Sequence, residues 1–299
     1  MGKADFAPIE FAPAEVTVEA MANGGMILSS PMELKDYQPN VVARLRHWAG
    51  SEPHRLFLAE RDAEGQWRKL NYAETASKVC AVSQALLDRG ISPQNPLVIL
   101  SDNGIDNAIL QLAAMQVGIP VAPVSPAYSL MSQDHAKLKH IVGLVEPGLI
   151  YVADGVKFES ALKSLDLEGV EVVVSANPCA EISCTLFSTM AQAEAGARVE
   201  AAYAAVGPDT VAKILFTSGS TGMPKGVINT QRMLCSNQQA IVQLWPFLKS
   251  KPPVVLDWLP TDNIRVMHIG QYFQHFGSVG DCFNKLFVCK VDVSPNEES

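Results

Sequence analysis

Apolar and polar positions change period several times along this chain, and each change predicts an element. Phe57 to Leu70 reads as a β-hairpin, with LFLAER and WRKLNY around the polar turn DAEGQ. From Asn71 the period becomes helical. Ala76, Val79, Cys80, Ser83, Leu86 and Leu87 fall on one face, and only Ser83 among them is polar. Asn71 is placed as the N-cap with Glu74 completing a capping box, and Gly90 stands where a C-cap belongs. The run PLVILS (Pro96–Ser101) has the length of a buried strand. Ile105–Val117 is helical, and IPVAPVSP is a strand or extended piece. Helices follow over Gln133–Val145 and Val156–Leu165, alternating with the strands GLIYVAD and GVEVVVSA. An Ala-rich helix is predicted over Thr189–Ala205, then a strand over Val211–Phe216.

These strands are continuously apolar rather than alternating, which is the pattern of strands buried on both faces. Alternation with helices then predicts an α/β fold, a parallel sheet covered by helices, with right-handed crossovers. Ligands of such sheets bind beyond the carboxyl ends of strands.

At one such end stands TSGSTGMPKG, Thr217–Gly226. Thr217, Ser218, Ser220 and Thr221 place four hydroxyls within five positions. Gly219, Gly222 and Gly226 let backbone approach a ligand closely. Consecutive N–H groups in such a turn form an anion-binding concavity. Pro224 stiffens the turn, and Lys225 adds a mobile positive charge. The combination suits a polyphosphate. A flexible Ser/Gly linker does not fit, because buried strand and renewed apolar sequence lie ten residues apart. The P-loop order also fails, since Pro224 precedes the lysine and Gly226 follows it. No GxGxxG is present, and Phe216 stands where a nucleophile elbow around Ser218 needs its first glycine.

TSGSTGMPKG resembles the phosphate-binding motif of the AMP-forming acyl-CoA ligases and adenylation domains. PVAPVSPAYSL, GVINTQRMLCSNQQ and VVLDWLP are similar to the feruloyl-CoA synthase branch, in which Gln231 stands where the wider superfamily often has His. The likeness covers about Ile27 to Pro260. It implies the first part of an adenylate-forming N-terminal domain, with the C-terminal domain absent. The division it implies is 1–28 as a loose leader, 29–260 as an incomplete AMP-binding domain, and 261–299 as a tail without family resemblance. The implied activity is ATP-dependent activation of a hydroxycinnamic acid to acyl-AMP and then acyl-CoA, with ATP, Mg²⁺ and CoA. Thr217, Ser218, Gly219, Ser220, Thr221, Gly222 and Lys225 would hold the phosphates. Lys225 is the catalytic candidate, and Thr221 the main hydroxyl contact. The family's later segments, which carry a magnesium-binding Glu, a ribose-holding Asp and a C-terminal lysine, have no counterpart here. The alternative reading is therefore a catalytically silent remnant that at most binds nucleotide.

Composition narrows the partners. Of 299 residues, 48% are hydrophobic and 18% charged, with mean hydropathy +0.12, which suits a buried core. A net charge of −8 disfavours nucleic acid as a partner. Met1–Leu28 lacks a signal-peptide pattern. The longest apolar stretch, Ala108–Val124, is broken by two glutamines, a glycine and two prolines, so no membrane span is expected. Six cysteines without a CxxC pair predict reduced thiols and a cytoplasmic location. His268, His275, Cys282 and Cys289 recur every seven residues. On a helix that spacing spreads them by about 10.5 Å per step, far beyond a shared metal's bond lengths, and no metal site is assigned. His135 and His140 are expected on an exposed helix, Trp258 as a core anchor, and Asp257 either facing the active-site cleft or at a cap or turn. The sequence assigns neither the particular acid nor an oligomeric state.

Overall fold

A computed structural model of the chain describes residues 10–62, 64–217, 222–250, 255–257 and 287–289. The strands are β1 (Thr17–Ala20), β2 (Met26–Ser29), β3 (Leu56–Arg61), β4 (Trp67–Asn71), β5 (Leu97–Ile99), β6 (Val121–Pro123) and β7 (Leu149–Asp154). They continue as β8 (Glu171–Ala176), β9 (Cys184–Leu186), β10 (Val211–Thr217), β11 (Lys225–Thr230), β12 (Val255–Asp257) and β13 (Phe287–Cys289). The helices are α1 (Val42–Ser51), α2 (Tyr72–Asp88), α3 (Ile105–Gln116), α4 (Pro126–Leu130) and α5 (Ala136–Val145). After them come α6 (Gly155–Lys163), α7 (Phe187–Met190), α8 (Ala197–Ala205), α9 (Gln231–Leu244) and α10 (Phe247–Ser250).

The central sheet has seven strands among the described residues, in the order β11-β10-β6-β5-β7-β8-β9. All neighbours from β10 to β9 pair in parallel, and β11 alone is antiparallel, at the edge. The expected α/β architecture is therefore present, with a mixed rather than purely parallel sheet. Alternate residues of each strand feed two cores. Leu97, Ile99, Leu149, Tyr151 and Val173 pack on one side with α1, α2 and α3. Val98, Leu100, Ile150, Val152, Val172 and Val174 pack on the other with α5 and α6. Both faces are covered, which is why the strands read as unbroken apolar runs.

α2 begins and ends as its sequence dictates. The Asn71 side chain accepts from Glu74 N (2.8 Å) while Glu74 Oε2 accepts from Asn71 N (2.8 Å). At the other end Gly90 adopts φ +70°, where glycine is favoured. Ile91 N reaches Leu86 O and Gly90 N reaches Leu87 O, the paired bonds of a Schellman cap.

Two expectations are corrected. The single helix over Thr189–Ala205 is broken between Met190 and Ala197. Gly196 is extended, and its N–H donates to Gln84 Oε1 on α2 (3.1 Å). Phe187 and Met190 of α7 are drawn into the core below the short strand β9, which periodicity alone did not reveal. His135 is not exposed. It is 6% accessible and takes a left-handed backbone (φ 52°) at the start of α5, so the helix begins three residues later than expected.

The described part of the leader forms the hairpin β1–β2, turning through Asn23-Gly24-Gly25. It is held to the end of α9 by Ala12 N to Leu244 O (2.9 Å) and by Phe11 edge-on to Trp245 and Phe247. Lys35 N to Gln243 Oε1 (2.8 Å) holds it again beyond β2. β12 pairs antiparallel with β13. Trp258, His268, His275 and Cys282 lie outside the described residues, as do the side chains of Asp257 and Cys289. The four cysteines that are described, Cys80, Cys179, Cys184 and Cys235, are free thiols.

Candidate functional site

The polar, glycine-rich segment leaves the carboxyl end of β10. Because β10 runs parallel to β6 (Lys213 opposite Val121), that end shares its side of the sheet with the ends of β5 and β6. A ligand of an open α/β sheet is expected on this side.

The segment is the connection of a β-hairpin, not an open loop as far as Gly226. Thr217 pairs with Lys225 and Phe216 with Gly226, so both Lys225 and Gly226 already belong to β11. The expectation of a loop over the whole of Thr217–Gly226 is corrected accordingly. Its physical cause is the renewed apolar run GVIN, which adds a seventh strand to an otherwise open edge. Ser218, Gly219, Ser220 and Thr221 lie outside the described residues. Thr217 and Lys225 stand opposite each other at the mouth of the turn, with Thr217 Oγ1 donating to Lys225 O (3.5 Å). Lys225 is exposed, and a Cβ added at Gly222 would meet nothing within 4 Å.

Gly226 has a packing reason for being glycine that the sequence does not show. A Cβ there would lie 3.2 Å from Ile214 Cγ2 and 3.5 Å from Phe216 Cε1. Glycine lets β11 cross two large β10 side chains. Pro224 is buried, and its carbonyl accepts from His140 Nε2 on α5 (3.1 Å). The turn is thus tied to the helix beneath it, a contact that sequence spacing gave no signal for, since 84 residues separate the two.

Behind the turn, α9 starts immediately. Thr230 caps it by accepting from Met233 N (3.4 Å). Gln231 is fully buried, and its Oε1 accepts from Val41 N (3.0 Å), which commits it to bridging α9 and the start of α1. Lys213, inside β10, is 6% accessible and has no ion-pair partner among the described residues. Burial pushes its ammonium down to about 8. It lies on the Leu215 side of the strand, and nothing in the sequence singles it out, because AKILF scans as an ordinary strand. Among the described residues no cluster of His, Cys, Asp and Glu could hold a metal ion, and no helix is long and apolar enough to cross a membrane.

Residues 45–269 match the family model described as AMP-binding enzyme. This chain belongs to the AMP-binding enzyme family. The match spans the turn and most of the central sheet, and ends past Pro260. Among curated relatives, apicidin F synthase of Gibberella fujikuroi is 29% identical over 170 residues, 56% of this chain and 3% of that one. The 4-coumarate–CoA ligase-like protein 9 of Arabidopsis thaliana is 27% identical over 170 residues, 56% of this chain and 28% of that one. Among solved structures, ATP-bound MatB from Rhodopseudomonas palustris aligns with TM-score 0.56 and 25% identity, covering 79% of this chain and 42% of that one. The chain thus spans only a minor part of these relatives' length.

Proposed function

We propose that this chain is the phosphate-binding part of an adenylate-forming ligase that activates a carboxylic acid with MgATP. One observation carries the reading. A turn of hydroxyls and glycines, closed by Thr217 and Lys225, leaves a parallel strand at its carboxyl end in a member of the AMP-binding enzyme family. The hydroxyls of Thr217, Ser218, Ser220 and Thr221 and the amides of Gly219 and Gly222 hold the β- and γ-phosphates, with Thr221 the main hydroxyl contact. The Lys225 ammonium takes up charge on the departing pyrophosphate. In the first step a carboxylate oxygen attacks the α-phosphorus, the bond to the β-phosphate oxygen breaks, and pyrophosphate leaves. In the second the thiol sulfur of CoA attacks the acyl carbon, its proton is lost, and AMP departs. Mg²⁺ arrives with the nucleotide as part of the substrate.

The acid is proposed to be aromatic and hydroxycinnamic, feruloyl-like, and the location cytoplasmic. PVAPVSPAYSL and GVINTQRMLCSNQQ support the first, as does the relation to a 4-coumarate–CoA ligase-like protein. Residues 29–260 are proposed as the AMP-binding unit.

Lys225→Ala tests the site. An exposed strand-end lysine contributes little to stability, so the variant keeps its fold. It loses about ten- to a hundredfold in affinity for a non-hydrolysable ATP analogue, the worth of one charge-assisted contact. Unchanged affinity by calorimetry would remove the site. Release of γ-phosphate in place of pyrophosphate would remove the reaction class.

The share of each relative that is covered favours a second reading for the 299-residue polypeptide on its own: nucleotide binding without turnover. Orientation of reactants supplies about 7–11 kcal/mol of a barrier, and the phosphate turn holds only one of them. Given ferulate, MgATP and CoA, the isolated polypeptide is expected to form no feruloyl-CoA. Sustained thioester formation, followed by absorbance, refutes this second reading.

A further inference from the structure

His140 sits on α5, on the side of the sheet opposite α2 and α3, and is an exposed residue. Nothing in its sequence surroundings marks it. Its Nε2 nevertheless lies 3.1 Å from the carbonyl oxygen of Pro224, the residue immediately before Lys225. A carbonyl oxygen can only accept, so the imidazole carries its proton on Nε2.

The consequence follows from backbone geometry. The ring of Pro224 fixes its φ but leaves its ψ free. That ψ sets the peptide plane between Pro224 and Lys225. On the far side of Lys225, its own carbonyl accepts from Thr217 Oγ1 at 3.5 Å. The two peptide planes flanking the Lys225 Cα are therefore each held by a side chain, one from α5 and one from the paired strand β10, and together they direct its Cα–Cβ bond. Because Pro224 is buried, its carbonyl has little access to water and needs a protein donor. The same helix supports the next residue. Leu144 Cδ2 lies 3.9 Å from the position a Gly226 Cβ would take.

We propose that His140 is a positioning residue for the phosphate turn: its Nε2–H holds the Pro224 carbonyl and so aims Lys225 at the nucleotide phosphates. This rests on the phosphate reading of the turn given above. α5 is then the platform against which the turn is set, and His140 acts on ATP through Lys225 without touching it.

Chemistry separates this role from a merely structural one. The side-chain amide nitrogen of Gln can occupy the place of His Nε2, whereas that of Asn reaches only as far as Nδ1. His140→Ala and His140→Asn are expected to weaken binding of a non-hydrolysable ATP analogue by about two- to tenfold, the worth of one hydrogen bond. His140→Gln restores most of the affinity. In a Lys225→Ala background, His140→Ala adds no further loss, because the lysine it aims is gone. Long-range ¹H–¹⁵N spectra of the unmodified chain place the proton on Nε2.

If Lys225→Ala weakens binding but His140→Ala does not, the proposal falls and the phosphate reading stands. If Lys225→Ala has no effect, the phosphate reading falls and takes the proposal with it. Failure of Gln to rescue, or a neutral ring protonated on Nδ1, also overturns the role of Nε2.

Discussion

Lys213 is the residue whose placement has the clearest energetic consequence. Its aliphatic stem suits β10, but the residue is only 6% accessible and has no described ion-pair partner. Desolvation lowers its pKa from 10.5 to about 8. Below about pH 8 both folded and unfolded chains hold the proton, and the folded chain bears the full desolvation cost. Between about pH 8 and 10.5 the unfolded chain holds more protons, so stability rises with pH. Above that range the cost has vanished. A shift of this size corresponds to about 3 kcal/mol. Lys213→Met is therefore expected to stabilise the chain at pH 7 by up to about that amount, with the gain shrinking towards pH 10.5. Urea unfolding at pH 7 and pH 10 measures it; an equal effect at both values would mean the lysine is not a desolvated charge. Lys225, the six hydroxyl and glycine positions Thr217–Gly222, and the proline between them stand out in the sequence because their composition is unusual. Lys213 and His140 do not, because a lysine in a strand and a histidine in a helix become informative only once their surroundings are known.

Among the elements, α2 and the Ala-rich segment make the contrast. The start of α2 is local chemistry, since Asn71 and Glu74 satisfy each other's backbone N–H groups. Asn71→Ala is expected to cost about 1 kcal/mol, read as a lower urea midpoint with unchanged slope. No loss would mean that tertiary packing alone defines this end. Between Thr189 and Ala205, by contrast, propensity favours one long helix and the structure has two short ones. Burying Phe187 and Met190 beneath β9 and turning the Gly196 N–H to Gln84 decide the outcome. The helices bend to contacts more than a hundred residues away in sequence. Much the same applies to β11: six residues of modest β-propensity become a strand because β10 offers an open edge to pair with.

Across the whole molecule, a polar network fastens the β3–β4 hairpin to the sheet. Arg68 on β4 reaches Glu60 on β3 (3.0 Å) and Asp106 on α3 (2.6 Å). Asp106 Oδ2 accepts from Ser175 on β8 (2.7 Å), and Ser175 Oγ accepts from the buried hydroxyl of Tyr151 on β7 (2.7 Å). Glu60 Oε2 also accepts from Ile105 N at the start of α3 (2.9 Å). Burial opposes the Arg68 charge, and Asp106 and Glu60 more than offset it, leaving its pKa raised. Removing the arginine strands two carboxylates that are each about 15% accessible, although Arg68 itself is 41% exposed and partly screened. Arg68→Met is expected to cost about 1–3 kcal/mol, and to speed hydrogen exchange in β4 and at the start of α3 together. Faster exchange confined to β4 would show that the network does not couple them.

The sequence by itself determined the α/β class, most element positions, the caps of α2 and the hydroxyl- and glycine-rich composition of the turn after β10. These depend on periodicity, on side chains bonding their own neighbouring backbone, and on residue chemistry, all of which are local. Only the tertiary structure decided that the turn closes a hairpin, that Gly226 is there to clear Ile214 and Phe216, that Lys213 and His135 are buried, and that His140 holds Pro224. Each of those depends on which distant segments the sheet order brings together, and chain separation carries no trace of it until the strands have paired.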